Sequence, residues 1–202
     1  MKLYYSPGAC SLSPHIVARE AGQPVTLQRV DLKAKTVEGG GDYTKVNPKG
    51  YVPALEVEPG VVLTEGPAIV QYLADAAPAS GLAPKAGTIE RARLQEWLNF
   101  ISTELHKTIG SMFNPAQTAE WKAAMVALAE RRLAHVEAAL VGRPYLMGET
   151  FSVADAYLFT VLNWLKFVGM DLARWPNLAA YVGRVAARPK VQEALKAEGL
   201  TK

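Results

Sequence analysis

The chain has 202 residues, of which 50% are apolar and 20% charged, a composition typical of a globular protein with one large or two small domains rather than a disordered chain. The net charge of +3 is not gathered into blocks, which argues against nucleic acid as the main partner, and no apolar stretch is long enough to cross a bilayer. A single cysteine excludes an internal disulfide framework and a multi-cysteine zinc site.

The first residues predict a short strand followed by a helix. Residues 2–5 are prone to β-structure, Pro7 breaks the segment, and residues 12–21 carry a helical pattern that Gly22 closes. Because Pro7 comes before the apolar core of a signal peptide could develop, we expect a cytoplasmic protein without a membrane partner.

The segment that follows alternates strand and turn signals. Consecutive glycines make residues 37–42 a poor helix, so we expect an irregular excursion there. The other signals are strands over 25–30, 52–57 and 61–63, then a helix over 68–76. The order β-α-β-(α)-β-β-α, a parallel unit followed by a hairpin and a helix, predicts a thioredoxin-like fold.

The second half of the chain has no convincing strand signal. Beyond the Pro- and Gly-containing linker at 77–87, helical patterns cover residues 88–112, 118–140, 152–168, 177–187 and 191–197. We therefore predict an α+β protein in which a thioredoxin-like N-terminal domain over 1–80 is followed by an all-α helical C-terminal domain over 81–202.

The segment 152–168 is apolar on nearly every side and predicts a buried central helix. It opens with Ser152 and Asp155 at the spacing of a capping box, which explains both residues. A catalytic Asp155 is the alternative.

Cys10 is the first candidate for chemistry. It lies just before a helix, where unpaired N–H groups and the helix dipole stabilise a thiolate. With Ser13 it forms a C-x-x-S motif, the one-cysteine version of the thioredoxin-type redox motif, although a lone cysteine is also a common buried apolar residue. Because the chain has no resolving thiol, disulfide chemistry would need an external one, and glutathione is the abundant choice.

Two further candidates lie at turns. Val52-Pro53 follows a Gly-containing turn and opens a strand, the place where thioredoxin-like folds have a cis X-Pro bond, although a trans edge-strand proline is the alternative. Glu65-Gly66 precedes a helix whose N–H groups suit a carboxylate, while Glu65 suits an ammonium group. The pair therefore fits the zwitterionic end of an amino acid, unless Glu65 only complements the helix dipole.

A polar stripe runs along the predicted helix 88–112. At about 100° per residue one side collects the short polar groups Asn99, Ser102, Thr103, His106 and Gly110, and the opposite side is apolar. The stripe is either a solvated face or a ligand-facing one, where His106 would supply a proton or a hydrogen bond near neutral pH.

The remaining histidines do not suggest a metal site. His15 and His135 are expected to be surface or satisfied core residues, and no pair of histidines has the spacing of metal ligands. We therefore expect no metal.

The whole chain resembles the cytosolic glutathione transferases, and in particular the bacterial beta class. The residues that carry the resemblance are residues 1–11 at the N-terminus, Asn47-Pro48-Lys49-Gly50, Val52-Pro53, Thr64-Glu65-Gly66, Thr103-Glu104-Leu105-His106-Lys107 and Ser152-Val153-Ala154-Asp155. The resemblance implies a homodimer that uses glutathione as co-substrate.

The resemblance also implies residue roles. Cys10 would contact the glutathione sulfur, Val52 would pair with the cysteinyl backbone, Lys35 would hold the glycyl carboxylate, and Glu65 with Gly66 would hold the γ-glutamyl end. Asn99, Thr103, Glu104 and His106 would border the sulfur and the second-substrate pocket. Many family members have serine at the position of Gly66. Because other classes activate the thiol with tyrosine or serine, the nearby Tyr4, Tyr5, Ser6 and Ser11 are alternatives to Cys10.

Three functions follow from these residues. The leading one is conjugation of the glutathione thiolate to hydrophobic electrophiles, with candidate pocket walls at Tyr5, Met112, Phe113, Tyr157 and Trp164. The second is glutathione-dependent thiol-disulfide exchange at Cys10. The third is a non-catalytic ligand-binding protein of the same fold.

Overall fold

The computed structural model describes residues 1–201, which form two compact units. One unit combines residues 1–83 with the C-terminal segment that begins at Arg188, and the other consists of residues 84–187. The last helix therefore belongs to the first unit, whereas the sequence had grouped it with the helical domain. Across residues 1–201, no helix combines the length and apolarity that crossing a membrane requires.

Five strands form one mixed sheet in the first unit. They are β1 (Lys2–Tyr5), β2 (Thr26–Asp31), β3 (Thr36–Val37), β4 (Ala54–Glu58) and β5 (Val61–Thr64), in the order β3-β2-β1-β4-β5. The β1–β2 pair is parallel, and the other three pairs are antiparallel. This parallel unit followed by a hairpin confirms the thioredoxin-like prediction.

The irregular excursion expected at 37–42 is more ordered than the sequence suggested. Thr36–Val37 forms the edge strand β3, and glycines 39–41 all adopt positive φ in the turn that follows it. The helix written in brackets in the predicted order β-α-β-(α)-β-β-α is a single 3₁₀ turn at Tyr43–Lys45. A strand of two residues is too short to produce a readable alternation in the sequence.

The helices are α1 (Leu12–Glu20), α2 (Gly66–Asp75), α3 (Ile89–Phe100), α4 (Lys107–Ser111), α5 (Ala119–Ala139), α6 (Val153–Leu162), α7 (Pro176–Ala186) and α8 (Pro189–Ala197). In the first unit α1 packs against both α2 and α8. An ion pair between Arg188 Nε and Glu20 Oε1 at 2.7 Å joins α1 to the start of α8.

In the second unit, the predicted helix 88–112 is one continuous rod with a π-helical segment, Ile101–His106, between α3 and α4. The predicted apolar side of this rod is buried, as at Leu94, Leu98 and Ile109. The helix predicted over 152–168 ends at Leu162 and is followed by a 3₁₀ turn at Leu165–Val168.

All ten residues of α6 are buried, as predicted, and Asp155 forms its capping box. The Asp155 carboxylate accepts hydrogen bonds from the N–H and hydroxyl of Ser152, the N–H of Leu146 and the hydroxyl of Tyr181, at 2.7–3.1 Å. Burial raises the pKa of Asp155, and these donors oppose the shift. With its carboxylate fully buried and bonded, Asp155 acts as a cap and cross-link.

Candidate active site

Cys10 lies in the loop between β1 and α1, two residues before the helix begins. Its thiol is partly exposed, and Sγ donates a hydrogen bond to the carbonyl oxygen of Val52 at 3.1 Å. The first unit thus brings together two of the predicted site residues. A partly exposed thiol beside a helix start is the setting in which cysteines react.

Ser11 shapes this loop from within the core. Its buried hydroxyl donates to the carbonyl of Ser6 at 3.2 Å and accepts from the Ser6 N–H at 3.1 Å. Nearby, burial and then the Glu198 carboxylate raise the pKa of Tyr5, so its phenol stays protonated at neutral pH. The Tyr4 hydroxyl contacts Glu56 at 3.4 Å. Ser11 and Tyr4 therefore have structural partners of their own.

The Cys10 loop is also tied to the C-terminus of the chain. The N–H of Gly8 donates to Glu198 Oε2 at 2.9 Å, and His15 Nδ1 lies 2.9 Å from Glu198 Oε1. Arg19 Nε donates to His15 Nε2 at 2.9 Å, so the ring proton lies on Nδ1 and points to Glu198. His15 is therefore a satisfied core residue, one of the two roles expected for it.

The Val52-Pro53 peptide bond is cis, as predicted. The preceding carbonyl, that of Tyr51, accepts hydrogen bonds from Asn47 Nδ2 at 2.6 Å and from the Tyr43 hydroxyl at 3.1 Å. Burial raises the pKa of Tyr43 to about 12, which keeps its hydroxyl a donor at neutral pH. Asn47 and Tyr43 thus fix the strand start that presents Val52.

The Lys35 side chain contacts the turn that precedes Val52. Its ammonium donates to the carbonyl of Gly50 at 2.7 Å, and its side chain lies 3.5 Å from the position that a Cβ on Gly50 would occupy. Lys35 has a positive φ of 57°, held by a hydrogen bond from the Tyr43 N–H to its carbonyl at 2.8 Å. The lysine is therefore ordered beside the segment that contains Val52.

Glu65 and Gly66 lie where β5 meets α2. Glu65 has a φ of 70°, a conformation that a non-glycine residue keeps only where its surroundings hold it. Its carboxylate accepts a hydrogen bond from the Tyr51 hydroxyl at 3.0 Å and forms an ion pair with Lys49. A Cβ on Gly66 would have nothing within 4 Å, so open space faces this residue.

In the second unit, His106 closes the π-helical segment. Its Nδ1 lies 2.6 Å from the hydroxyl of Tyr157, and its ring meets that of Trp164 edge-on at a centroid distance of 4.8 Å. The ring of Phe113 also meets that of Trp164 edge-on, with the ring centroids 6.2 Å apart. Three of the predicted pocket walls therefore cluster with His106, on a π-turn of the kind that often marks functional sites.

The other predicted residues of this rod are more exposed. Thr103 donates to the carbonyl of Asn99 at 3.0 Å, and both side chains face solvent. Glu104 forms a 2.7 Å ion pair with Arg132 of α5. The polar stripe thus holds two exposed residues, Asn99 and Thr103, and one carboxylate fixed by a neighbouring helix.

Two protein-family models match this chain. The glutathione S-transferase N-terminal domain matches residues 8–76, and the glutathione S-transferase C-terminal domain matches residues 119–184. The chain is 49% identical over 200 residues to glutathione S-transferase GstA of Escherichia coli O157:H7, covering 99% of this chain and all of that protein. The chain belongs to the glutathione S-transferase family.

Comparison with solved structures shows which class this glutathione transferase resembles. A bacterial beta-class glutathione S-transferase from Sphingomonas chungbukensis superposes with a TM-score of 0.96 at 47% identity, and both chains are covered completely. A sphingomonad glutathione S-transferase complexed with glutathione superposes with a TM-score of 0.95 at 49% identity, again over 100% of both chains. The predicted resemblance to the beta class is confirmed.

Sequence reasoning missed several residues that support the site of this transferase. Lys49 and Tyr51 contact Glu65, and Glu198 holds the Cys10 loop. The resemblance quoted Lys49 only as part of a turn, and nothing local marks Glu198, which is 190 residues from its partner Gly8. Within residues 1–201, no three His, Cys, Asp or Glu side chains group as a metal site would require.

Proposed function

We propose that this glutathione transferase conjugates the glutathione thiolate to hydrophobic electrophiles at a site built around Cys10 and Val52. The observation that carries the proposal is the 3.1 Å contact between Cys10 Sγ and the Val52 carbonyl beside a cis proline. This contact puts a thiol next to the backbone edge that a peptide ligand pairs with. The glutathione complex of the sphingomonad relative supports glutathione as the co-substrate.

In the proposed binding mode the tripeptide extends along the first unit. Val52 pairs with the cysteinyl backbone, Pro53 shapes that edge, and Lys35 takes the glycyl carboxylate. Glu65 and Gly66 take the γ-glutamyl end. Two contacts support these roles. The Lys35 ammonium lies 2.7 Å from the carbonyl oxygen of Gly50, two residues before Val52, and the Tyr51 hydroxyl lies 3.0 Å from the Glu65 carboxylate.

The proposed helix contacts involve the rod of the second unit. Asn99 and Thr103 offer exposed polar groups and Glu104 offers a carboxylate, which support these residues as glutathione contacts. His106 would border the electrophile, since its ring lies among the aromatic side chains Tyr157, Trp164 and, through Trp164, Phe113.

The proposed reaction begins when the bound glutathione thiol loses its proton to solvent. The Cys10 thiol stabilises the thiolate by donating a hydrogen bond to it, and the thiolate attacks an electrophilic carbon. A carbon–sulfur bond forms, and in a substitution the leaving group departs with its electron pair. In an addition the new carbanion takes a proton, which His106 would supply. No step uses a metal.

We further propose that the protein acts as a homodimer in the cytoplasm. The resemblance to the beta class supports the dimer. A partly exposed free thiol supports a reducing compartment, because such thiols are oxidised where disulfides form.

A second function, glutathione-dependent disulfide reduction, is favoured by the exposure of Cys10. Its thiolate would attack a protein–glutathione disulfide and release the reduced protein thiol. The thiolate of a second glutathione would then attack the glutathione sulfur of this mixed disulfide, which restores the Cys10 thiolate and releases oxidised glutathione.

Cys10→Ala separates the two functions. We expect disulfide reduction to vanish and conjugation of 1-chloro-2,4-dinitrobenzene to fall about tenfold, the size of one hydrogen bond to a charged group. Lys45→Ala, at an exposed residue outside the proposed site, is the control. Unchanged conjugation with intact glutathione binding would remove Cys10 from that reaction, and failure of the parent to bind immobilised glutathione would favour a ligand-binding protein.

A further inference from the structure

Lys49 lies beside the proposed γ-glutamyl site and has no role in the binding mode described so far. Its ammonium pairs with the Glu65 carboxylate and lies 3.1 Å from the Thr64 hydroxyl. Tyr51 donates to the same Glu65 oxygen at 3.0 Å. The carboxylate proposed to bind an ammonium group is therefore paired with one from the chain itself.

We propose that Lys49 recognises the α-carboxylate of the γ-glutamyl residue by exchanging ion-pair partners with the incoming ligand. This inference rests on the proposed function. An α-amino acid end has an ammonium and a carboxylate on one carbon. When it enters, its ammonium replaces Lys49 at Glu65, and its carboxylate becomes the new partner of Lys49. Each of the four charges thus has an opposite partner before and after binding.

The exposure of the pair makes this exchange inexpensive. The side chains of Lys49 and Glu65 are 45% and 55% exposed, and ion pairs in such surroundings contribute little free energy. Tyr51 keeps its bond to Glu65 when Lys49 leaves, and Thr64 keeps the ammonium close by. The carboxylate and the ammonium therefore stay on either side of the entering group.

The residue that follows Glu65 leaves space at this point. Here Gly66 provides no side chain, and nothing lies within 4 Å of where a Cβ would be. The open space admits a carboxylate, and Lys49 supplies a charge-assisted hydrogen bond to it.

The test compares two ligands on two variants by isothermal titration calorimetry. One ligand is S-methylglutathione, which cannot react with Cys10. The other is its decarboxylated analogue, S-methyl-(4-aminobutanoyl)cysteinylglycine, which keeps the ammonium and lacks the α-carboxylate. We expect Lys49→Gln to raise the dissociation constant of S-methylglutathione about three- to tenfold and to leave that of the analogue within twofold. Lys45→Gln, an exposed lysine on the same segment, should change neither.

A rescue completes the design. Adding Gly66→Ser to Lys49→Gln should restore part of the lost affinity for S-methylglutathione only. Unchanged or tighter binding of S-methylglutathione by Lys49→Gln would overturn the inference, because Lys49 would then merely compete with the ammonium. An equal loss for both ligands would also overturn it, because Lys49 would then act through the turn. If the parent bound neither ligand, the proposed function itself would fail.

Discussion

Replacing Glu198 by alanine removes the acceptor that ties the Cys10 loop to the end of α8. The Glu198 side chain is fully buried, and that of its partner His15 is 2% exposed. The substitution leaves His15 Nδ1 and the Gly8 N–H without the acceptor that each now has at 2.9 Å. An unsatisfied buried donor costs about 1–3 kcal/mol, and Gly8 is only partly buried, so we expect a total loss of about 3 kcal/mol.

This loss has a measurable size. For a chain of this length each kcal/mol moves Tm by about 2–4 °C, so Glu198→Ala should unfold about 6–12 °C below the parent. Circular dichroism during heating gives Tm, and the rate at which an aromatic disulfide reagent modifies Cys10 reports the loop. We expect that rate to rise, since Gly8 is two residues from the thiol.

Two variants sharpen the result. Glu198→Gln can still accept from His15 but presents an amide N–H to the Gly8 N–H, so its Tm should fall between the other two. Glu193→Ala, on the exposed side of the same helix, should unfold with the parent. A Tm for Glu198→Ala within about 2 °C of the parent would refute the reasoning.

Two other predictions concern hydrogen bonds in each unit. Tyr157→Phe should cost about 1–2 kcal/mol of unfolding free energy and lower the rate of conjugation by addition, because the imidazole of His106 loses its 2.6 Å hydrogen bond to the Tyr157 hydroxyl; an unchanged rate would mean that this hydrogen bond does not position His106 for the reaction. The Gly60 N–H, and then the Lys2 ammonium, hold the pKa of Glu56 below its ordinary 4.5. Glu56 therefore stabilises the fold above that pH and ceases to do so as pH falls through the lower folded value. Urea unfolding should show Glu56→Gln less stable than the parent at pH 7, with the difference shrinking as the pH is lowered below 4.5; a difference that stays constant on acidification would contradict this sign.

Much of the first unit could be predicted because its signals are local. The turn before Val52-Pro53 and the break at Pro7 are each readable within a few residues, and both lie where the sequence placed them. The apolar side of the helix 88–112 was likewise predictable from its period.

What the sequence could not predict depends on long-range or register choices. The π-helical segment before His106 changes the hydrogen-bond register without changing the apolar pattern. The last helix belongs to the sheet unit because of Arg188 and Glu198, whose partners are 168 to 190 residues away. Likewise, Lys49 pairs with Glu65 only because the antiparallel pair of β4 and β5 brings the segment before β4 close to the residue after β5.

The discontinuous first unit has a consequence for how the protein is made. Ribosomes release a chain from its N-terminus, and N-terminal domains usually fold first. Here residues 1–83 emerge before residues 84–187, yet the helix that holds the Cys10 loop emerges only after both of these segments. Residues 84–187 are contiguous and emerge complete before it. The nascent chain can therefore finish its second unit first, and the Cys10 loop gains its contact with Glu198 only after residues 84–187 have been made.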